Sequence, residues 1–207
     1  MNRVDLQVKP ACLPLFFSLF EKGVGLSAEI GGSLKDFLCG QLGISNEYLD
    51  QRIQTLFLDA RPVDDVDAAV IQDGCTLALS AAMPGLLGAT MRKGGRYAAF
   101  RRDISQRDDE KRTRETSGRV TVKMFNMVAR ELGGRLLEKG VEIHGRDLQQ
   151  IADRLHAVSP GAIVKAYVEG RETPVDANFF PSLASRRLRL LVKVAGQAAS
   201  GSDASQV

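Results

Sequence analysis

The stretch from Gln54 to Ser80, QTLFLDARPVDDVDAAVIQDGCTLALS, constrains the fold more than any other part of the chain. Gln54 to Leu58 is short and apolar, as a compact strand should be. Asp59-Ala60-Arg61-Pro62 reads as a turn, and the acid-rich run Val63 to Val70 as a solvated connection. Asp73-Gly74 is a strong turn signal, because Gly reaches positive φ without steric cost. Cys75 to Ser80 then closes the unit as a strand with Leu77 and Leu79 on one face.

The residues upstream complete this sheet. Val4 to Val8 alternates apolar and polar, the pattern of a half-buried strand. Pro10 and Pro14 interrupt the chain, Gly23-Val24-Gly25 signals a turn, and Val24 to Ile30 reads as the returning strand. Ser33 is a candidate N-cap with Asp36 at the capping-box position. Leu34, Phe37, Leu38 and Leu42 follow at helical spacing, and Gly43 is placed to end that helix. Strand, strand, helix, strand, strand predicts a helix that crosses one face of a mixed sheet after a hairpin.

Leu42-Gly43-Ile44, then Leu56-Phe57-Leu58-Asp59-Ala60-Arg61-Pro62-Val63, then Gln72-Asp73-Gly74 before Leu77-Ala78-Leu79, resemble the MoaD/ThiS family of ubiquitin-like β-grasp sulfur carriers. Asp59-Ala60 stands where that family has Asn-Gly. The resemblance covers residues 1–82 and implies a β-grasp domain there, with a tie to sulfur transfer or cofactor metabolism. Such carriers act through a C-terminal Gly-Gly carboxylate, adenylated by an activating enzyme and converted to a thiocarboxylate. Here the only candidate is the internal pair Gly94-Gly95. A carrier role would require cleavage after Gly95; otherwise the pair is a flexible turn.

Beyond Ser80 the chain changes character. Met83 to Met91 is apolar and Gly-rich, with Met83, Leu86, Leu87 and Met91 as a candidate partner-docking arm. Arg92, Lys93, Arg96, Arg101 and Arg102 form a basic patch, followed by a charged stretch to Arg119 that reads as a linker. Acids interleave with these cations, and the overall net charge is only +3. Both facts argue against nucleic acid as the partner.

From Val120 a helix is expected through Leu136, weakened at Gly133-Gly134, and a second helix from Asp147 to Leu155. Ala162 to Glu169 and Arg187 to Val194 read as strands, with a helix over Leu183 to Val194 as the competing reading, and residues 196–207 as a disordered tail. No internal repeat is evident. The expected organisation is thus an α+β chain with a β-grasp domain over 1–82, an arm and linker over 83–118, and a small α+β region over 119–195.

Catalytic and metal motifs are not found. Cys12, Cys39 and Cys75 form no CxxC, and His144 and His156 have no partner at ligand spacing. Cys75 is expected as a small buried hydrophobe. No cofactor is called for. The apolar run Ala11 to Phe20 is half the length a membrane span needs and is flanked by charge, so it reads as core. The expectation is a cytoplasmic, non-enzymatic protein that works through contacts with a protein partner.

Overall fold

The computed structural model describes residues 1–81, 88, 90–93, 95 and 117–196. The chain is α+β. Strands β1 (Asn2–Val8), β2 (Val24–Ala28), β3 (Thr55–Leu58), β4 (Arg61–Pro62) and β5 (Thr76–Ser80) come from its first part. Strands β6 (Gly118–Phe125), β7 (Val141–His144), β8 (Ile163–Val168), β9 (Arg171–Glu172) and β10 (Arg187–Val194) come from its second. All belong to one sheet in the order β4-β3-β5-β6-β2-β7-β10-β1-β8-β9. The helices are α1 (Ser18–Lys22), α2 (Asn46–Gln51), α3 (Asn126–Lys139), α4 (Gly145–Val158) and α5 (Phe179–Leu183). A 3-10 segment (Pro10–Phe17) leads into α1, and a π-helical segment (Asp36–Gln41) precedes α2.

The expected hairpin of β1 with β2 is not formed. β2 pairs antiparallel with β6, and β1 lies between β10 and β8, with β7 and β10 separating it from β2. The cause is the connection: Pro10 to Lys22 is helical rather than a turn, and it buries Cys12, Phe16, Leu19 and Phe20. A helical link of that length carries the chain across the sheet. Residues 1–82 and 119–195 therefore share one continuous sheet, and a single core cluster runs from Val4 to Val192.

The sheet is two five-stranded halves of the same design. The first is β4-β3-β5-β6-β2, with pairings antiparallel, antiparallel, parallel, antiparallel. The second is β9-β8-β1-β10-β7, with the same sequence of orientations. They meet where Gly25 of β2 pairs with Glu142 of β7. A Cβ on Gly25 would lie 3.1 Å from the Cβ of Glu142, so a glycine lets the seam close.

This symmetry exposes a repeat that the sequence reading missed. Leu19-Phe20-Glu21-Lys22-Gly23-Val24 matches Leu136-Leu137-Glu138-Lys139-Gly140-Val141. Gly23 (φ 108°, ψ 131°) and Gly140 (φ 97°, ψ 130°) end their helices in the same conformation. Leu58-Asp59-Ala60-Arg61 likewise matches Val168-Glu169-Gly170-Arg171, and each two-residue turn has both φ positive: 47° and 64° in one, 51° and 77° in the other. Paired positive φ is what a tight hairpin turn requires. The repeats exchange their first strands: β1 enters the second half and β6 the first. The exchange is asymmetric, because β6 sits beside the seam strand β2 whereas β1 sits beside the hairpin strand β8.

Burial alternates along the strands, so one face of the sheet is core. Val4, Leu6, Leu190, Val192, Val122, Met124, Leu77 and Leu79 all lie on it and are buried. The 3-10 segment and α3 pack together over this face. α3 runs unbroken through Gly133-Gly134, where a helix break was expected. Glycine is needed there, since a Cβ on Gly133 would lie 2.9 Å from the Phe17 ring and 3.1 Å from that of Phe20. The helix expected from Val120 begins instead at Asn126; Gly118–Phe125 is strand β6, with Val120, Val122 and Met124 inward at period two. Ser33 and Asp36 form the expected reciprocal cap: Asp36 N donates to Ser33 Oγ at 3.0 Å and Ser33 N to Asp36 Oδ2 at 3.3 Å.

Candidate functional site on the open face of the sheet

The other face of the sheet carries the alternate residues of each strand, which fall into rows set by strand register; Thr55, Ser80 and Leu191 among them are buried, the cations of the second half exposed. One row crosses the seam: Thr76, Thr121 and Gly25 on the first half, then Glu142, Arg189 and Arg3 on the second. A further row on each half carries Phe57, Ala78 and Lys123 in the first and Tyr167, Asp5 and Leu191 in the second. The last carries Thr55, Ser80 and Phe125 in the first, and Lys165, Gln7 and Lys193 in the second. At matching backbone positions the two halves thus present different chemistry.

The second half is cationic. Arg187, Arg189 and Lys193 point outward from β10, and Arg3 and Lys165 stand on the neighbouring strands; all are exposed. The nearby acids are engaged. Asp5 accepts a bidentate bond from Arg3, both contacts 2.8 Å, and Glu142 Oε2 lies 2.6 Å from the Arg119 guanidinium. Lys165 is 3.7 Å from Glu172. The exposed pairs, Arg3 with Asp5 and Lys165 with Glu172, are of a kind that contributes little to stability, so those charges orient one another more than they hold the fold. Arg189 Nη2 donates to the Lys139 carbonyl at 3.3 Å, at the negative end of α3.

The first half has a small cavity of about 330 Å³ at the carboxyl ends of the parallel strands β5 and β6. Its described lining is Thr55, Phe57, Ala78, Leu79, Ser80, Phe125 and Asn126. Asn126, at φ 55°, turns the chain from β6 into α3 and donates from Nδ2 to Ser80 Oγ at 3.4 Å. Thr55 is 1% exposed, and its hydroxyl has no hydrogen-bond partner. Leaving such a group unmatched costs roughly 1–3 kcal/mol.

The sequence-derived candidates are distributed as follows. Met83, Leu86, Leu87, Gly94, Arg96, Arg101 and Arg102 lie outside the described residues. Met91 is half-buried and Arg92 exposed. Lys93 docks on its own half: its backbone N donates to Gln54 O at 2.7 Å, its Nζ to Leu49 O at 3.1 Å, and it lies 3.6 Å from Asp50. A cation there complements the carboxyl end of α2. Gly95 N donates to Arg92 O at 3.1 Å, closing a turn.

Other chemistry-bearing groups serve the scaffold. Cys12 and Cys75 are buried, and burial pushes the Cys75 thiol from its ordinary 9.0 up to about 11, away from nucleophilic thiolate. Burial also raises Cys39. Tyr48 OH donates to Glu131 at 2.6 Å, and Arg52 pairs with the same carboxylate, tying α2 to α3. Those bonds, from Arg52 first and then Tyr48, hold Glu131 below the usual carboxylate range, while burial first and then Glu131 raise Tyr48. Among the described residues no group of His, Cys, Asp and Glu could hold a metal ion, and no helix is long and apolar enough to cross a membrane. The open-face rows escaped sequence reading because they join residues up to 186 positions apart, such as Gln7 and Lys193. No protein-family model, no curated protein and no solved structure matches this chain.

Proposed function

We propose that the protein is a non-enzymatic, β-grasp-type binding protein that acts through protein–protein contacts, and that the cationic rows of the second half dock an acidic protein partner. The β-grasp reading rests on the first half, a five-stranded mixed sheet in which β6 takes the place beside β2 that a hairpin partner would take. The likeness is one of shape, used here as a docking platform.

The face is favoured over the edge. Both edge strands, Arg61–Pro62 and Arg171–Glu172, are two residues long and carry charge or proline, which blocks addition of another strand. The single observation that carries the reading is the alternation of Arg187, Arg189 and Lys193 along β10, exposed and flanked by Arg3 and Lys165, while Asp5 and Glu142 are already paired. A surface of this kind attracts and orients an acidic partner.

The test is fluorescence anisotropy of a labelled oligoglutamate peptide with the full chain at low salt, beside a single-stranded oligodeoxynucleotide of equal charge. Saturable peptide binding that weakens by about tenfold or more in the R187E/R189E/K193E variant supports the proposal, with unfolding temperature checked in parallel. No peptide binding, or binding of the oligonucleotide alone, contradicts it.

A further inference from the structure

We propose that the cavity at the carboxyl ends of β5 and β6 is a binding site for a small, uncharged aromatic molecule bearing one hydrogen-bonding substituent. This goes beyond the docking proposal and stands apart from it, since it uses the other half of the sheet.

Size comes first. At about 330 Å³ the cavity lies at the small end of ligand sites, enough for a ring and a short substituent. Chemistry comes next. Phe57 and Phe125 supply rings, Ala78 leaves room between them on the intervening strand, and Leu79 adds apolar wall. No described lining residue is ionisable, so among the described residues an ion would meet no counter-charge. Thr55, one of the lining residues, carries a buried hydroxyl without a partner, the group a ligand's polar substituent would satisfy.

The second half shows that this cavity is not a by-product of the architecture. Where the first half has Thr55, Ala78, Ser80 and Phe125, the matching positions hold Lys165, Asp5, Gln7 and Lys193. Two lysines, an aspartate and a glutamine stand there instead. The cavity is built from small and aromatic residues that β3, β5 and the exchanged strand β6 bring together in the first half.

The probe is phenol, with toluene and benzoate as comparators, titrated into the full chain and followed by methyl NMR shifts of Thr55, Ala78 and Leu79. Saturable shifts confined to those methyls, with phenol binding at least fivefold tighter than either comparator, support the site. Ala78→Leu fills the space from the open face without touching the core, and should abolish the shifts of Thr55 and Leu79 while the protein stays folded. Thr55→Val should leave toluene binding unchanged and bring phenol down to it. The proposal is overturned if folded wild type shows no saturable shift at millimolar phenol. Undiminished binding in Ala78→Leu would also overturn it, as would equal phenol and toluene binding in wild type.

Discussion

The two halves of the sheet share strand number, the sequence of strand orientations, the helix-ending glycines and the hairpin turns, yet apart from the aromatic pair Phe57 and Tyr167 their outward rows differ. In the first half the outward rows carry hydroxyls, glycine, alanine and phenylalanine with the cation Lys123, and the carboxyl ends of β5 and β6 line a cavity. In the second they carry arginine, lysine and their paired acids. Their inward rows are alike: aliphatic, buried and in register. Packing constrains the inward positions, where a change of even one methylene is felt. The outward positions are free to diverge, and divergence there is where a duplicated scaffold can acquire separate binding tasks.

The comparison rests on strand exchange, and the largest effect is expected where exchange makes each half depend on the other. Leu6 is near the start of the chain, yet it is 1% exposed and sits in the second half opposite Val192 and Ala166. Leu6→Ala should destabilise the whole protein by about 2–5 kcal/mol, the range for a buried leucine. Urea unfolding followed by far-UV circular dichroism should remain a single transition. A variant in which one half melts early while the other is untouched would break the comparison into two independent domains.

The next effect separates the two outward faces. Thr55→Val removes an unpaired buried hydroxyl and should stabilise the fold by about 1–2 kcal/mol. Its positional counterpart Lys165 is exposed, and Lys165→Val should change stability by no more than about 0.5 kcal/mol. Paired denaturation curves check both, and equal effects would show that the halves are not differentiated as described.

The charge contrast predicts a smaller change, seen in binding only. Arg189→Glu in the second half should weaken oligoglutamate binding about tenfold, or about 1.4 kcal/mol. Lys123→Glu, in the first half, should weaken it less than threefold, an order-of-magnitude expectation for a charge off the docking rows. Both effects should shrink with added salt. Equal losses would move the docking surface off β10.

The smallest effect is in pH. The Cys75 thiol is raised on folding, so the folded state holds its proton more tightly than the unfolded chain. The resulting stability is present below the ordinary thiol value and lost as pH rises toward about 11. Stability measured from pH 8 to 11 should fall less in Cys75→Ala than in wild type. The second repeat has no cysteine, which ties the slope to the first.

Much of this architecture is legible in the sequence, because local pattern and final environment agree. Arg187 to Val194 reads as a strand and is one, and Val4 to Val8 alternates because one side is core. Ser33 with Asp36 announces a cap that forms. What does not show is which strands meet. Val4 to Val8 and Val24 to Ile30 look like a hairpin, since nothing in either strand records that helical residues 10–22 carry one away from the other. Val120, Val122 and Met124 fit a period of two as well as Val120, Met124 and Val128 fit a helix; pairing with β5 and β2 decides for strand. The Glu-Lys-Gly-Val recurrence at 21–24 and 138–141 was the available signal of duplication, and its meaning rests on two glycines sharing one conformation. The cavity has no local signature, because register between distant strands builds it; the cations of β10 alternate visibly in RLRLLVKV, but which residues flank them is set by pairing with β1 and β7.

The most direct test is NMR of the uniformly labelled full chain, reading cross-strand NOEs from β1. Strand exchange predicts contacts from Leu6 to Val192 on one side and to Ala166 on the other, with none from β1 to β2. Contacts between Val4 or Leu6 and the Val24–Ala28 strand would restore the hairpin, and with it a self-contained first domain, and would contradict the exchanged repeat.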